Sequence, residues 1–147
     1  TAETTLRLAR DFENIVAIKE ASGNIGQMDA IIKDKPEGFD VISGDDGITF
    51  PLITLGAVGV ISVLGNAFPA EFSRMNRLAL QGDYANALAI HHKFAEMCNL
   101  LFVDGNPAGV KAMLNIMGMC ENKLRLPLVP AREVTCEKLR AAWQGLK

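Results

Sequence analysis

Cysteine is scarce in this chain, and the three present, Cys98, Cys120 and Cys136, rule out more than they suggest. Their number is odd, none forms a CxxC pair and no spacing matches a zinc ligand set, so neither a disulfide framework nor a thiolate metal site is expected. Free thiols, buried or half-buried, are the expectation. Charge of one sign is also missing: fifteen Lys and Arg meet seventeen Asp and Glu, a net charge of −2. Such a balance offers no clustered basic face for nucleic acid. No apolar run approaches the roughly 20 residues that cross a bilayer. No charged leader with an apolar middle and a small-residue cleavage site is present either, so neither membrane insertion nor export is expected. What remains is 49% hydrophobic and 22% charged residues, which excludes a disordered chain and predicts a cytoplasmic globular protein.

Two textures divide the chain. Over residues 1–68 short apolar runs alternate with helical stretches, and glycines punctuate them; over residues 69–147 the pattern is helical throughout. A first helix is predicted over 1–12, with Thr1 as its N-cap and Glu3 in the first turn. The apolar runs 15–19, 39–43 and 59–63 read as strands. Between them, helices are predicted over 25–33 and 48–55, the second stopped by Gly56. Near-continuous apolar strands separated by helices indicate parallel strands buried on both faces. Further helices are predicted over 69–81, 84–102, 107–117 and 135–144. The chain has no initiator Met, starts directly in a helix and leaves three strands with two open edges. It is expected to be the carboxyl-terminal portion of a larger α/β protein.

Lys19 is the residue with most chemical promise. It ends the first apolar run, and alternation places it on one face with Ile15 and Ala17. Turned into a barrel, its amine would be partly desolvated and easier to deprotonate, as attack on a carbonyl requires. Reactive groups of parallel barrels sit at the C-terminal strand ends, where Lys19 falls. The residues by themselves favour a plain solvated strand-end lysine over a catalytic one. Gly44-Asp45-Asp46-Gly47 follows the second run. Adjacent carboxylates there point apart, which favours a turn with an N-cap aspartate over a metal site, and Gly44 would let backbone approach a ligand closely. His91 and His92 are neighbours on a helix and share no face, so they do not make a metal pair. Gly56, Gly59 and Gly65 form no phosphate-binding GxGxxG. Met75, Met97, Met113, Met117 and Met119 are expected to fill the core.

Taken together, Ile15-Val16-Ala17-Ile18-Lys19-Glu20-Ala21-Ser22-Gly23-Asn24 resembles the Schiff-base lysine segment of the dihydrodipicolinate synthase family. Ser43-Gly44-Asp45-Asp46 and Gly59-Val60-Ile61-Ser62-Val63-Leu64-Gly65-Asn66 are similar to that family's next two strand ends. Asn106-Pro107 with Val110-Lys111, then Leu124-Arg125-Leu126-Pro127, resemble its carboxyl-terminal helical segment. The resemblance implies an α/β fold, the C-terminal part of a (β/α)₈ barrel. Residues 1–68 would supply strands six to eight, and residues 69–147 the last barrel helix and a helical segment. It implies an imine between Lys19 and pyruvate, with Gly44 and Ile61 beside the bound keto acid, Ile61 through its backbone. The enamine would condense with aspartate semialdehyde in the pathway to diaminopimelate and lysine. No metal or organic cofactor is implied, and a homotetramer is.

The family's tyrosine relay, threonines and arginine lie upstream of the lysine strand and have no counterpart here. Tyr84, the single tyrosine, falls among the C-terminal helices. The chain alone is therefore expected to lack full activity. Two other readings stand beside this one. N-acetylneuraminate lyase and the keto-deoxy-sugar-acid aldolases share the lysine chemistry, and a non-catalytic assembly module would need no chemistry at all.

Overall fold

The computed structural model describes residues 1–146 of the chain. Its first helix, α1 (Ala2–Asp11), begins where Thr1 accepts the Thr4 amide on its hydroxyl at 3.3 Å. That bond satisfies one of the first-turn donors that a helix cannot pair internally. Glu3 in the first turn and Arg10 in the last complement the helix dipole.

Three short strands follow, β1 (Ala17–Glu20), β2 (Asp40–Ser43) and β3 (Gly59–Val60), all parallel and in the order β1-β2-β3. The crossovers are helices α2 (Ile25–Asp34) and α3 (Thr49–Leu55), as the sequence pattern predicts. Asn24 caps α2 through the Gln27 amide. Gly56 ends α3 at φ 118°, a left-handed conformation that a side chain would strain. Register sorts the strand residues by face. Ile18 lies opposite Val41 and both pack with Leu6, Ile31 and Phe39 under α1 and α2. Lys19 lies opposite Ile42, and Ile42 opposite Gly59, on the other face.

Two strand boundaries differ from expectation. Ile15 precedes β1 and joins the cluster under α1, so it does not share the face of Lys19. The third run pairs only at Gly59 and Val60, with one further ladder bond from the Ile61 amide to the Ser43 carbonyl at 2.9 Å. Beyond it the chain coils into a one-turn 3₁₀ helix, Leu64–Asn66, because side chains take its next amides.

Helices α4 (Pro69–Leu80), α5 (Tyr84–Leu100), α6 (Ala108–Ile116) and α7 (Glu133–Leu146) build the largest apolar cluster. Phe72, Met75, Phe94, Met97, Met113 and Leu139 form its centre. Met119, expected in the core, is 64% exposed, because it lies past the end of α6 in a loop; Met117 is half-buried. Cys98 and Cys136 are buried and unpaired, and Cys120 is half-buried.

Gly109 fixes how α6 meets the end of α5. A Cβ there would lie 2.6 Å from the Leu101 carbonyl carbon and 2.8 Å from its Cα. Backbone cannot swing aside as a side chain can. Gly109→Ala is expected to lower stability by about 3 kcal/mol, the upper part of the usual range for overpacking. Gly145→Ala, where a Cβ meets nothing within 4 Å, should raise it by roughly 0.5 kcal/mol through helix propensity. Urea unfolding midpoints of the two variants would check both signs.

Candidate active site

The C-terminal ends of the three strands lie side by side, and the segments leaving them are tied down locally. Past Lys19, Glu20 turns to the opposite face and is buried. Its carboxylate accepts the Ser22 amide at 3.0 Å and the Ser22 hydroxyl at 2.9 Å. Ser22 Oγ in turn accepts the Asn24 amide, and Asn24 caps α2. This relay of short polar side chains holds the turn immediately after Lys19.

Lys19 itself is exposed, and among the described residues its Nζ has no hydrogen-bonding or ionic partner. The expected partial desolvation is therefore not seen. Its cause would be a covered strand face, and Ile42 and Gly59, which share the face of Lys19, are themselves only half-buried. What does crowd the stem of Lys19 is Gly44, the residue just past the end of β2. A Cβ built on Gly44 would stand 2.9 Å from Lys19 Cε, 3.1 Å from Lys19 Cγ and 2.7 Å from Ala21 Cβ. The missing side chain at Gly44 thus makes room for Lys19 and Ala21. The Gly44 amide donates to the Glu20 carbonyl at 2.7 Å, which continues the β1–β2 ladder to this point.

The two aspartates after Gly44 do not converge. Asp45 caps the 3₁₀ turn Asp46–Ile48 by accepting the Gly47 amide at 2.9 Å, as the turn reading predicts. Thr49 Oγ1 lies 2.8 Å from the Asp45 carbonyl and 2.9 Å from Ser43 Oγ, so the loop is braced from α3. Asp46 turns inward, is 2% exposed, and accepts the Val63 and Leu64 amides on Oδ2 at 3.0 and 2.7 Å. Sequence reasoning missed this link. Its partners stand seventeen and eighteen residues away, and no local pattern announces such a bond. Ile61 sits just before these amides; its side chain is half exposed.

A cleft of about 440 Å³ adjoins the strand ends, with Ala21, Gly44 and Asp45 on one side and Cys98, Asn99 and Phe102 on the other. Burial foremost, and then the carboxylates of Asp46 and Asp45, push the Cys98 thiol up to about 12. It stays protonated near neutral pH and is no nucleophile. His91 stacks on Phe50 at 5.6 Å between centroids, and burial, then His92, lowers its pKa. Tyr84 meets Phe50 edge-on at 6.3 Å. These aromatic contacts are packing on α3 and α5. No group of three or more potential metal ligands is found among the described residues, and no described helix is long and apolar enough to cross a membrane.

Residues 1–145 match the model of the dihydrodipicolinate synthetase family. The chain is 81% identical over its full length to a 4-hydroxy-tetrahydrodipicolinate synthase of Phocaeicola vulgatus, of which it covers 50%. It is 75% identical over 146 residues to the enzyme of the same name from Parabacteroides distasonis, covering 49% of it. The chain thus spans about half the length of the curated relatives it matches. Among solved structures, dihydrodipicolinate synthase from Thermotoga maritima superposes with a TM-score of 0.96 at 40% identity, over 99% of this chain and 50% of that one. The synthase from Aquifex aeolicus gives 0.94 at 40% identity, over 98% and 49%.

Proposed function

The chain belongs to the dihydrodipicolinate synthetase family, and from that premise we propose that it forms the carboxyl-terminal portion of a cytoplasmic, homotetrameric 4-hydroxy-tetrahydrodipicolinate synthase. Residues 1–68 supply strands six to eight of a (β/α)₈ barrel, and residues 69–147 its last helix and a helical segment. In that barrel the face of β1 bearing Lys19 lines the interior, and closure by the other strands desolvates the amine.

The Lys19 amine adds to the pyruvate carbonyl and water leaves, giving an imine. Loss of a methyl proton converts the imine to an enamine, whose carbon attacks the aldehyde of aspartate semialdehyde. The iminium nitrogen is the electron sink, so neither metal nor organic cofactor has a step to perform. Gly44 leaves room beside the lysine, and the Ile61 backbone borders the pyruvate carboxylate. The proton relay and the second-substrate arginine belong to the other half of the protein.

One observation carries this reading: Lys19 stands at the C-terminal end of a parallel strand while the neighbouring strand offers a glycine where any side chain would collide with it. Borohydride reduction of the full-length protein with pyruvate tests it. The expected result is a reduced pyruvyl adduct on the peptide containing Lys19, together with pyruvate-dependent consumption of aspartate semialdehyde. Residues 1–147 alone should show no condensation. An adduct with turnover of N-acetylneuraminate or a keto-deoxy sugar acid instead would replace the synthase by an aldolase. Absence of any adduct would leave only a non-catalytic role.

A further inference from the structure

One buried carboxylate joins the loops that follow β2 and β3. Asp46 lies two residues beyond Gly44, and its Oδ2 accepts two successive amides, from Val63 and Leu64. These amides open the one-turn helix Leu64–Asn66, where the backbone offers no acceptor of its own. Asp46 is 2% exposed, and its second oxygen, Oδ1, is buried without a hydrogen-bond partner. A buried carboxylate with an idle oxygen is costly, and such groups in native structures call for an explanation.

The position of the clamp supplies one. Ladder bonding on the third strand ends at the Ile61 amide, which donates to the Ser43 carbonyl. The next fixed points are the Val63 and Leu64 amides. Ile61 and Ser62 are therefore spanned between two anchors, and Asp46 is the far one. Its near side is equally fixed, since the Gly44 amide is bonded to the Glu20 carbonyl on β1. Asp46 thus couples the end of β2, with Gly44 beside Lys19 of β1, to the backbone at Ile61. An ionised acceptor gives shorter, stronger bonds to amides than a neutral one, which suits a clamp made by a single side chain.

We infer that Asp46 is a positioning residue for the keto acid: it holds the Ile61 backbone at a set distance from Gly44 and does not itself touch the ligand. This rests on the proposed function, because the ligand that Ile61 borders there is pyruvate. Loosening the clamp frees the backbone that meets the carboxylate and leaves the amine on β1 in place. Pyruvate affinity falls while turnover at saturation is kept.

The test uses the full-length enzyme with Asp46→Ala and Asp46→Asn, and Leu139→Ala on α7 as a control at a fully buried residue of the helical cluster outside these loops. Asp46→Ala is expected to raise KM for pyruvate roughly tenfold with kcat within about threefold of wild type. Asp46→Asn keeps an oxygen able to accept the amides and should recover about half of that loss on a logarithmic scale. Borohydride-trapped adduct at saturating pyruvate should be undiminished in both, and Leu139→Ala should lower the melting temperature with KM unchanged. If Asp46→Ala fails to fold, Asp46→Asn decides by its KM. A lowered melting temperature with unchanged KM, or a collapse of kcat at unchanged KM, would overturn the inference. Wild-type enzyme that traps no pyruvate is a different result, and it would overturn the reading of the site and this inference with it.

Discussion

Lys19→Ala in the full-length enzyme is expected to abolish borohydride-trapped pyruvate and to lower condensation by a factor on the order of a thousand or more. The loss is one of chemistry alone. Among the described residues Lys19 makes no hydrogen bond or ion pair, so its removal leaves none of them with an unpaired partner. The fold should be retained, which circular dichroism and a melting curve of the variant check. Lys19→Arg separates charge from nucleophilicity. Arginine keeps a cation on the same strand face but stays protonated and cannot add to a carbonyl. It should be as inactive as the alanine variant in trapping, even if it retains some pyruvate affinity. Peptide mapping of the reduced adduct is the measurement. A Lys19→Ala protein that traps pyruvate at a different lysine would sink the assignment.

The fold was legible where local chemistry decides it. Thr1 and Gly56 mark helix ends, the first by capping and the second by a left-handed stop, and each acts within a few residues of itself. The apolar runs marked β1 and β2 for a related reason, since strands covered by helices need little polar alternation. The end of the third strand was not legible. Whether Ile61 to Val63 extend a sheet or leave it depends on Asp46, which reaches them across seventeen residues. Periodicity also misassigned Ile15, because alternation holds only inside a strand and β1 begins at Ala17. At the candidate site, the positions of Lys19 and Gly44 could be read from strand ends. Their contact could not, since it depends on the path of the lysine stem across the neighbouring strand.

That contact changes what a side chain at Gly44 would do. From sequence, Gly44 admits a ligand; in the structure the space over it is occupied by Ala21 Cβ and by Lys19 from Cγ to Cε. Gly44 does not have a positive φ, so the backbone would accept a side chain and the obstacle is space alone. Ala21 Cβ is fixed to its backbone and cannot rotate away. The lysine stem can, but only by carrying the amine out of place. Gly44→Val is therefore expected to slow imine formation about 100-fold, the loss that accompanies a misplacement of roughly 1 Å in a reacting group. Gly44→Ala, with one carbon to accommodate, should fall between it and wild type. Ile61→Val is the contrast. Its side chain is half exposed and the proposed contact is through backbone, so trapping and KM should stay within about twofold. The rate of borohydride-trapped adduct formation at saturating pyruvate orders the three variants. Wild-type trapping by Gly44→Val, or a larger loss in Ile61→Val than in Gly44→Val, would show that the lysine is not confined by β2 and would remove the geometric basis of the site.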